Sequence, residues 1–410
     1  MLPRIALVVC SLSLTAAGTA KLATSARSSP DPGGLVVHEW GTFTTVAGVD
    51  GRAIDWLPLG GPTDLPCFVE HFQNRRDVKV ALGQATPPNY AAARVNLLAK
   101  VRMETPVLYF YAPRTTTATV SVRFPRGLMT EWYPRATVTQ PIPDRTTLRN
   151  PATESLIEWR NVRVMPNADA GFPIEAGESH YYAARETDAA PLVVGDQREK
   201  FLFYRGVASF DVPLSAVSLD DERVRVRNLG VDDLHGVVLF ENRGGVIRYE
   251  VSDALRRESV LALPLLARSV ADIRRDLERM LVKAGLYERE ARAMVESWRD
   301  SWFEEGTRVF YIVPPRAVDA ILPLKVDPAP ARVERVFVGR MEVITPVIER
   351  SVKNAVAAND AAVLTRYGRF LGPIADRIVA RRSDATLGRR IREITDASFA
   401  TFLTRTSTCQ

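Results

Sequence analysis

Three of the four histidines in the chain lie within two residues of a carboxylate and next to an aromatic residue. They are His38 beside Glu39, His71 beside Glu70, and His180 two positions after Glu178. Imidazole and carboxylate groups are common ligands of divalent metals. One hypothesis is therefore a metal-dependent hydrolase whose metal is held by these six residues. The alternative is that the histidines are half-buried and hydrogen-bonded within an aromatic core.

The spacing of these residues limits the metal hypothesis. On a strand, His38 and Trp40 would share one face, whereas Glu39 and Phe43 would share the other. His38 and Glu39 would then reach one site only across a bulge. The sequence contains no His-x-x-x-His pair and no cysteine pair at ligand spacing.

The densest run of polar and aromatic residues is Tyr181–Asp188. It admits two interpretations. In the first, Arg185 forms an ion pair with Glu186 or Asp188 that fixes a loop. In the second, Arg185 and the two tyrosines line a pocket for an anionic or sugar-like ligand. The candidate ligand-binding residues for that pocket are Tyr181, Tyr182, Arg185, Asp188, Trp40 and Trp132.

Carboxylates beside aromatic residues raise a further alternative, a glycosidase-type acid–base pair. They are Glu39, Glu70, Glu131, Glu304 and Glu305. Strand edges and helix ends produce the same juxtaposition without any catalytic role. Signatures of a serine nucleophile and of a phosphate-binding glycine loop are absent from the sequence.

One short internal similarity joins Arg102–Val107 to Arg340–Val347. Both segments contain Arg-Met-Glu followed by Thr-Pro-Val, but with an offset of two residues and no flanking similarity. Chance is the better explanation, and the sequence does not indicate a repeat.

The N-terminus has the layout of a secretory signal, which we assign to residues 1–26. A positively charged start precedes the apolar run Ile5–Leu14, and Gly18 and Ala20 occupy the −3 and −1 positions of a cleavage site. The apolar run is too short to span a membrane. We expect an exported protein, periplasmic or extracellular, without a transmembrane segment. Two cysteines remain after processing, Cys67 and Cys409, and they form either a disulfide or two free thiols.

Composition agrees with a folded protein. Of 410 residues, 46% are hydrophobic and 25% charged, and the net charge is +6. The basic residues are scattered among acids and are not interleaved with aromatics, which argues against a nucleic-acid partner. The partner would then be a small molecule, a glycan or a protein.

The pattern of elements predicts an α+β fold. Residues 27–34 read as a flexible leader, and 35–265 read mostly as short strands of an antiparallel β-sandwich. Ser269 and Asp272 form a capping box that opens a helical hairpin, and strands return before 343. Helices dominate 344–410, with expected breaks near Gly372-Pro373 and Ser383.

Several longer motifs resemble a family of uncharacterised secreted bacterial proteins. The segments that carry the resemblance are His38–Thr44, Met103–Tyr111, Gly127–Pro134, His180–Pro191, Lys200–Gly206, Ser301–Ile312 and Val338–Pro346. The resemblance spans nearly the whole mature chain and implies one integrated fold. It brings no established reaction and no functional residues. The sequence therefore favours an exported binding or structural protein with a loop-lined pocket, with the metal-dependent hydrolase as the alternative.

Overall fold

The computed structural model describes residues 33–60, 65–72, 97–143, 146–169, 171–176, 179–381, 389–390 and 393–394. The segment assigned as a signal peptide, Glu178, Ser383 and Cys409 lie outside these ranges. Within them, no helix combines the length and the apolar character needed to cross a membrane.

Strands dominate the first two thirds of the described chain. In chain order they are β1 (Val36–Val46), β2 (Glu70–His71), β3 (Val101–Tyr111), β4 (Thr116–Pro125), β5 (Gly127–Tyr133), β6 (Thr137–Thr139), β7 (Glu154–Val164), β8 (Leu192–Val194), β9 (Gln197–Glu199), β10 (Leu202–Ala208), β11 (Leu214–Ser218), β12 (Arg223–Asn228), β13 (Leu234–Arg243), β14 (Val246–Leu255), β15 (Glu258–Ala262), β16 (Gly306–Val313), β17 (Leu324–Asp327) and β18 (Arg332–Glu342).

Helices dominate the last third. The α-helices are α1 (Val270–Ala284), α2 (Glu288–Ser297), α3 (Arg299–Trp302), α4 (Pro315–Ile321), α5 (Pro346–Ala358), α6 (Ala361–Arg366) and α7 (Leu371–Arg381), and short 3-10 helices cover Thr147–Arg149, His180–Arg185 and Gly368–Phe370. The order of elements confirms the predicted α+β class.

The main sheet has nine strands in the order β14-β13-β16-β18-β1-β3-β10-β5-β2. A six-stranded sheet (β17-β4-β7-β8-β9, with β6 on β7) and a three-stranded sheet (β11-β12-β15) complete the β layer. The antiparallel prediction holds for most neighbours, but β1 pairs with β18 in parallel. The returning strands β16 and β18 also lie between β13 and β1, so the sequence regions 35–265 and 266–343 share one sheet.

Three apolar clusters pack on the two faces of the main sheet. The inter-sheet core, with Phe43 and Phe337, faces the smaller sheets. The hairpin core, with Trp40 and Trp302, lies under α1–α3. The C-terminal core, with Val46, lies under α5–α7. Because β1 alternates regularly, its even-numbered residues face the helices and its odd-numbered residues face the smaller sheets.

Local signals in the sequence were accurate at several element ends. The capping box of Ser269 and Asp272 opens α1, and Gly285 ends it. The second predicted helix is interrupted at Trp298, which separates α2 from α3. The predicted break near Gly372-Pro373 lies directly before these residues, since α6 ends at Arg366 and α7 begins at Leu371. The proline itself is tolerated in the first turn of α7.

Candidate functional site

His38 is fully buried and belongs to a hydrogen-bonded network under α2. Its Nδ1 lies 2.8 Å from Oε2 of Glu290, and Nη2 of Arg332 lies 3.3 Å from its Nε2. The ring stacks on Tyr287 at 4.4 Å between centroids. Because a guanidinium is only a donor, Nε2 accepts and the ring carries its proton on Nδ1. Tyr111 donates to the other oxygen of Glu290 at 2.8 Å.

The other two histidines of the metal hypothesis have different surroundings. Nε2 of His180 lies 2.7 Å from Oδ2 of Asp300, and His71 is opposite Glu131 at the edge of the main sheet. Among the described residues, no group of three or more His, Cys, Asp or Glu side chains could hold a metal ion. The predicted convergence of His38, His71 and His180 is therefore wrong, since the three lie on separate elements with separate partners. Glu178 is outside the described residues.

The carboxylates of that hypothesis are also dispersed. Glu39 faces the smaller sheets, where it accepts from Tyr204 at 2.5 Å and from Arg335 at 2.6 Å. Its separation from His38 follows the alternation that the sequence predicted. Glu70 is only half-buried and lies 3.6 Å from Nε of Arg135.

Arg185 forms an ion pair that fixes a loop, which is the first of the two predicted interpretations. Its partner is Glu199, however, and not Glu186 or Asp188. Its Nε and Nη2 donate to the two oxygens of that carboxylate at 2.9 and 2.6 Å. Nη2 also donates to the carbonyl of Pro173 at 2.9 Å. The rings of Tyr181 and Tyr182 lie 5.7 and 4.8 Å from the guanidinium carbon. The sequence missed Glu199 because the pairing depends on tertiary contact with β9.

The six predicted ligand-binding residues do not form one group. Asp188 pairs with Arg289 at 2.5 Å on the surface. Trp40 is buried in the hairpin core, and Trp132 is buried in the inter-sheet core. The main sheet therefore separates the two tryptophans, and the guanidinium of Arg185 is already bonded to Glu199.

A different set of polar side chains crosses the helix-covered face of the main sheet. We call this set the charged belt. Its members on seven neighbouring strands are Arg308, Arg340, Glu342, Thr42, Thr44, Arg102, Glu104, Arg205, Glu131 and His71. Apart from the edge residue His71, every one of them is buried.

Strand register explains why these residues lie side by side. Thr44 is directly opposite Arg340 on one side of β1 and Arg102 on the other. Thr42 is opposite Glu104. Along β1 the two threonines lie between Trp40 and Val46, so the belt separates the hairpin core from the C-terminal core.

An irregularity in β3 turns its charged residues towards the belt. The register between β1 and β3 shifts between Trp40 and Thr42, and Thr105 has a positive φ of 45°. This conformation is unusual for a β-branched residue. Nε and Nη2 of Arg205 donate to Oγ1 of Thr105 at 3.2 and 3.1 Å. Bulges of this kind commonly redirect side chains at functional sites.

Glu104 and Arg102 form the centre of the belt. Nη1 of Arg369, from the C-terminal helical segment, lies 3.2 Å from Oε1 of Glu104. Burial alone would raise the pKa of Glu104, but Arg369, Arg102 and Arg340 outweigh it and lower the pKa from 4.5 to about 2. Burial and the nearby Arg369 lower the pKa of Arg102 to about 9, although Glu104 opposes them. Both groups are therefore ionised at neutral pH.

Arg308, Arg340 and Glu342 form the other half of the belt. Nε of Arg308 lies 3.1 Å from Oε2 of Glu342. Nη2 of Arg340 donates to Oε1 of Glu304 at 2.8 Å, and its guanidinium lies over Phe370 at 4.7 Å. Yet Nε and Nη1 of Arg340 have no acceptor within the described structure, although the residue is only 1% exposed. A buried donor without a partner costs about 1–3 kcal/mol.

A cavity of about 180 Å³ adjoins this half of the belt. Its walls come from the β13–β14 turn, the start of β16, α5 and the α6 end, and they include Glu241, Asn242, Arg243, Glu305, Gly306, Thr307, Val347, Ile348, Ser351 and Tyr367. Gly306 separates the cavity from the belt, because a Cβ there would lie 2.3 Å from Oε1 of Glu342. The cavity and the belt thus meet at one backbone position.

The sequence contained one signal of the belt. The two Arg-Met-Glu segments, attributed to chance, place Arg102 and Glu104 on one side of β1 and Arg340 and Glu342 on the other. Both segments therefore flank β1, one antiparallel and the other parallel to it. Chemically, the belt offers carboxylate acceptors and guanidinium donors, which suit the binding of a polar or charged group.

Comparisons with known proteins add little to this description. No family model matches the chain, and no curated protein matches it. Among solved structures, a yeast delta-COP-I mu-homology domain covers 77% of this chain and 100% of its own, at 7% identity and a TM-score of 0.28. The same domain in complex with a Dsl1 WxWxV peptide gives 7% identity and a TM-score of 0.27. Scores this low support no inference about function, and the resemblance to secreted bacterial proteins stays a prediction.

Proposed function

We propose that the chain is an exported binding protein and that its ligand binds at the charged belt and the adjoining cavity. The N-terminal signal pattern supports export. The observation that carries the binding function is Arg340, whose Nε and Nη1 have no acceptor among the described residues although the side chain is buried.

Stability alone is a poor explanation for the belt. Replacing buried ion pairs by apolar residues is often neutral or stabilising, so a buried charged network is weak support for a structural role. Unfilled donors in such a network add cost without benefit to the fold. A bound ligand that accepts from Arg340 would remove that cost.

The position of the belt is also suited to binding. It lies between two apolar clusters, beneath helices that come from a different part of the chain, and next to a cavity. Arg369 and Phe370 of the helical segment contact Glu104 and Arg340 from above. A ligand held there would contact both the sheet and the helices.

Thermal unfolding of the secreted protein in a library of small polar metabolites tests this function. A ligand present at a hundred times its dissociation constant stabilises the folded state by about 2.7 kcal/mol, which is readily measured. We expect at least one compound to raise the midpoint of unfolding in a saturable manner. Arg340→Lys should weaken that effect, whereas Arg123→Lys, a change at an exposed ion pair with Glu154, should not. Equal stabilisation of both variants would move the site away from the belt.

Export has its own test. N-terminal sequencing of the protein from a secreting host should begin near Lys21, after the Gly18–Ala20 site. Recovery of only the intact Met1 form from the cytoplasm would contradict the exported assignment.

A further inference from the structure

Most of the buried polar atoms around Arg340 that lack a hydrogen-bond partner are donors. Besides Nε and Nη1 of Arg340, the indole Nε1 of Trp302 and that of Trp298 have no acceptor in the described structure. All three side chains are at most 3% exposed. Guanidinium and indole nitrogens donate and never accept, so only an acceptor can satisfy them.

These donors belong to one neighbourhood. Phe310 is in register with Arg340 and contacts Trp302 at 5.5 Å between ring centroids. Trp298 stacks on Trp302 at 6.5 Å. Arg308 joins the strand to the helix, since its Nη1 donates to the carbonyl of Trp302 at 2.8 Å.

The carboxylates around Arg340 and Arg102 are already paired with guanidiniums. Arg308 and Arg340 share the carboxylate of Glu342, at 3.1 and 3.5 Å. On the other side of β1, Arg102 and Arg369 share the carboxylate of Glu104, at 3.8 and 3.2 Å. Nη2 of Arg340 also donates to Oε1 of Glu304 at 2.8 Å, so Nε and Nη1 are the positions at which this guanidinium can take a further acceptor.

We infer that the group bound at Arg340 is an oxyanion, a carboxylate or a tetrahedral phosphate or sulfate group. This inference rests on the proposed function and specifies its ligand class. Guanidinium donors in a buried site recognise such groups through charge-assisted hydrogen bonds, which are shorter and stronger than neutral ones. The neighbouring threonine Thr44, in register with Arg340, supplies a hydroxyl on the same face.

The test compares oxyanions with neutral compounds on the secreted full chain. Acetate, sulfate and phosphate are titrated at constant ionic strength, with chloride as the balancing salt and glucose as the neutral probe, and unfolding midpoints and binding heats are recorded. We expect saturable binding of at least one oxyanion and none of glucose. Acetate alone would indicate a carboxylate, and sulfate or phosphate alone a tetrahedral group.

Two variants make the outcome specific, because sulfate and phosphate also stabilise proteins generally. Arg340→Lys keeps the charge but removes the Nε and Nη1 donors, and it should weaken binding at least about tenfold. Trp302→Phe removes one donor while keeping an aromatic ring, and it serves if Arg340→Lys does not fold. Arg123→Lys should bind like the natural sequence.

If neutral compounds bind at the belt and no oxyanion does, the ligand class is wrong and the proposed function stands. If no compound of either kind binds, both are wrong. Equal binding of an oxyanion to Arg340→Lys, Trp302→Phe and the natural chain would overturn the site.

Discussion

At the scale of single residues, the buried Glu104 and the buried His38 have clear partners. Glu104 contacts Arg369 and Arg102, and His38 contacts Glu290. These contacts cross long distances in sequence, so each links elements that are far apart along the chain. Their strength can be measured through the pH dependence and the stability of single variants.

The first prediction concerns Glu104. Its pKa is lowered to about 2 in the folded protein, so the unfolded chain binds more protons as the pH falls through 4.5. The stabilisation is present above pH 4.5 and is lost between there and about pH 2. Glu104→Gln should cost on the order of 2–4 kcal/mol at neutral pH, and the difference from the natural chain should shrink as the pH falls through this window.

Urea unfolding at several pH values measures this effect. Glu154→Gln is the control, because that carboxylate is exposed in its pair with Arg123. Surface changes of this kind usually alter stability by less than about 0.5 kcal/mol. A constant difference between Glu104→Gln and the natural chain at all pH values would contradict the linkage.

The second prediction concerns His38. His38→Ala removes the stacking on Tyr287 and leaves Oε2 of Glu290 without its imidazole donor. We expect a loss of about 2–4 kcal/mol in the free energy of unfolding, with no change in metal content by elemental analysis. His235→Ala, at an exposed position of β13, should be nearly neutral. Loss of a bound metal in His38→Ala would instead revive the metal hypothesis.

At the scale of elements, close packing between strands decides how the main sheet is built. Gly339 of β18 is directly opposite Tyr311 of β16. A Cβ at position 339 would lie 2.1 Å from Cζ of Tyr311, which is itself buried. The glycine therefore allows the tyrosine ring to cross the neighbouring strand, next to the belt residue Arg340.

The third prediction follows from this contact. Gly339→Ala should cost about 2–3 kcal/mol, because overpacking in a dense core forces side chains or backbone to move. Tyr311→Leu in the same chain should recover part of the loss, since the two positions are coupled. Gly372→Ala provides the matched control: a Cβ there meets nothing within 4 Å, and the position is helical, so stability should be unchanged or up to about 1 kcal/mol higher. Additive effects of Gly339→Ala and Tyr311→Leu in chemical denaturation would refute the coupling.

At the scale of the whole molecule, the first strand and the C-terminal helices α5–α7 of the described chain meet at the main sheet. The strand β1 pairs with β18, and the helical segment α5–α7 packs over the end of β1 at Val46. Cys67 lies within the described residues, whereas the two other cysteines of the chain, Cys10 and Cys409, lie outside them. Its pairing with Cys409 stays a prediction.

The fourth prediction tests that pairing. In the exported form that we propose, Cys10 is removed with the signal segment, and Cys67 should then be linked to Cys409. Such a link closes a loop of several hundred residues, nominally worth about 4–5 kcal/mol. Mass spectrometry of unreduced proteolytic peptides should find the crosslinked pair, and Cys67→Ser and Cys409→Ser should destabilise the protein equally. Two alkylated thiols in the unreduced protein would exclude it.

The sequence by itself determined the α+β class, the capping box at Ser269 and the opposite orientations of His38 and Glu39. These features depend on local periodicity and capping, which neighbouring residues control. Only the tertiary structure decided the parallel pairing of β1 with β18, the Arg185–Glu199 pair and the charged belt. Each of these depends on strand order and register between distant segments, and a single-residue shift in register would turn the same side chains to the opposite face.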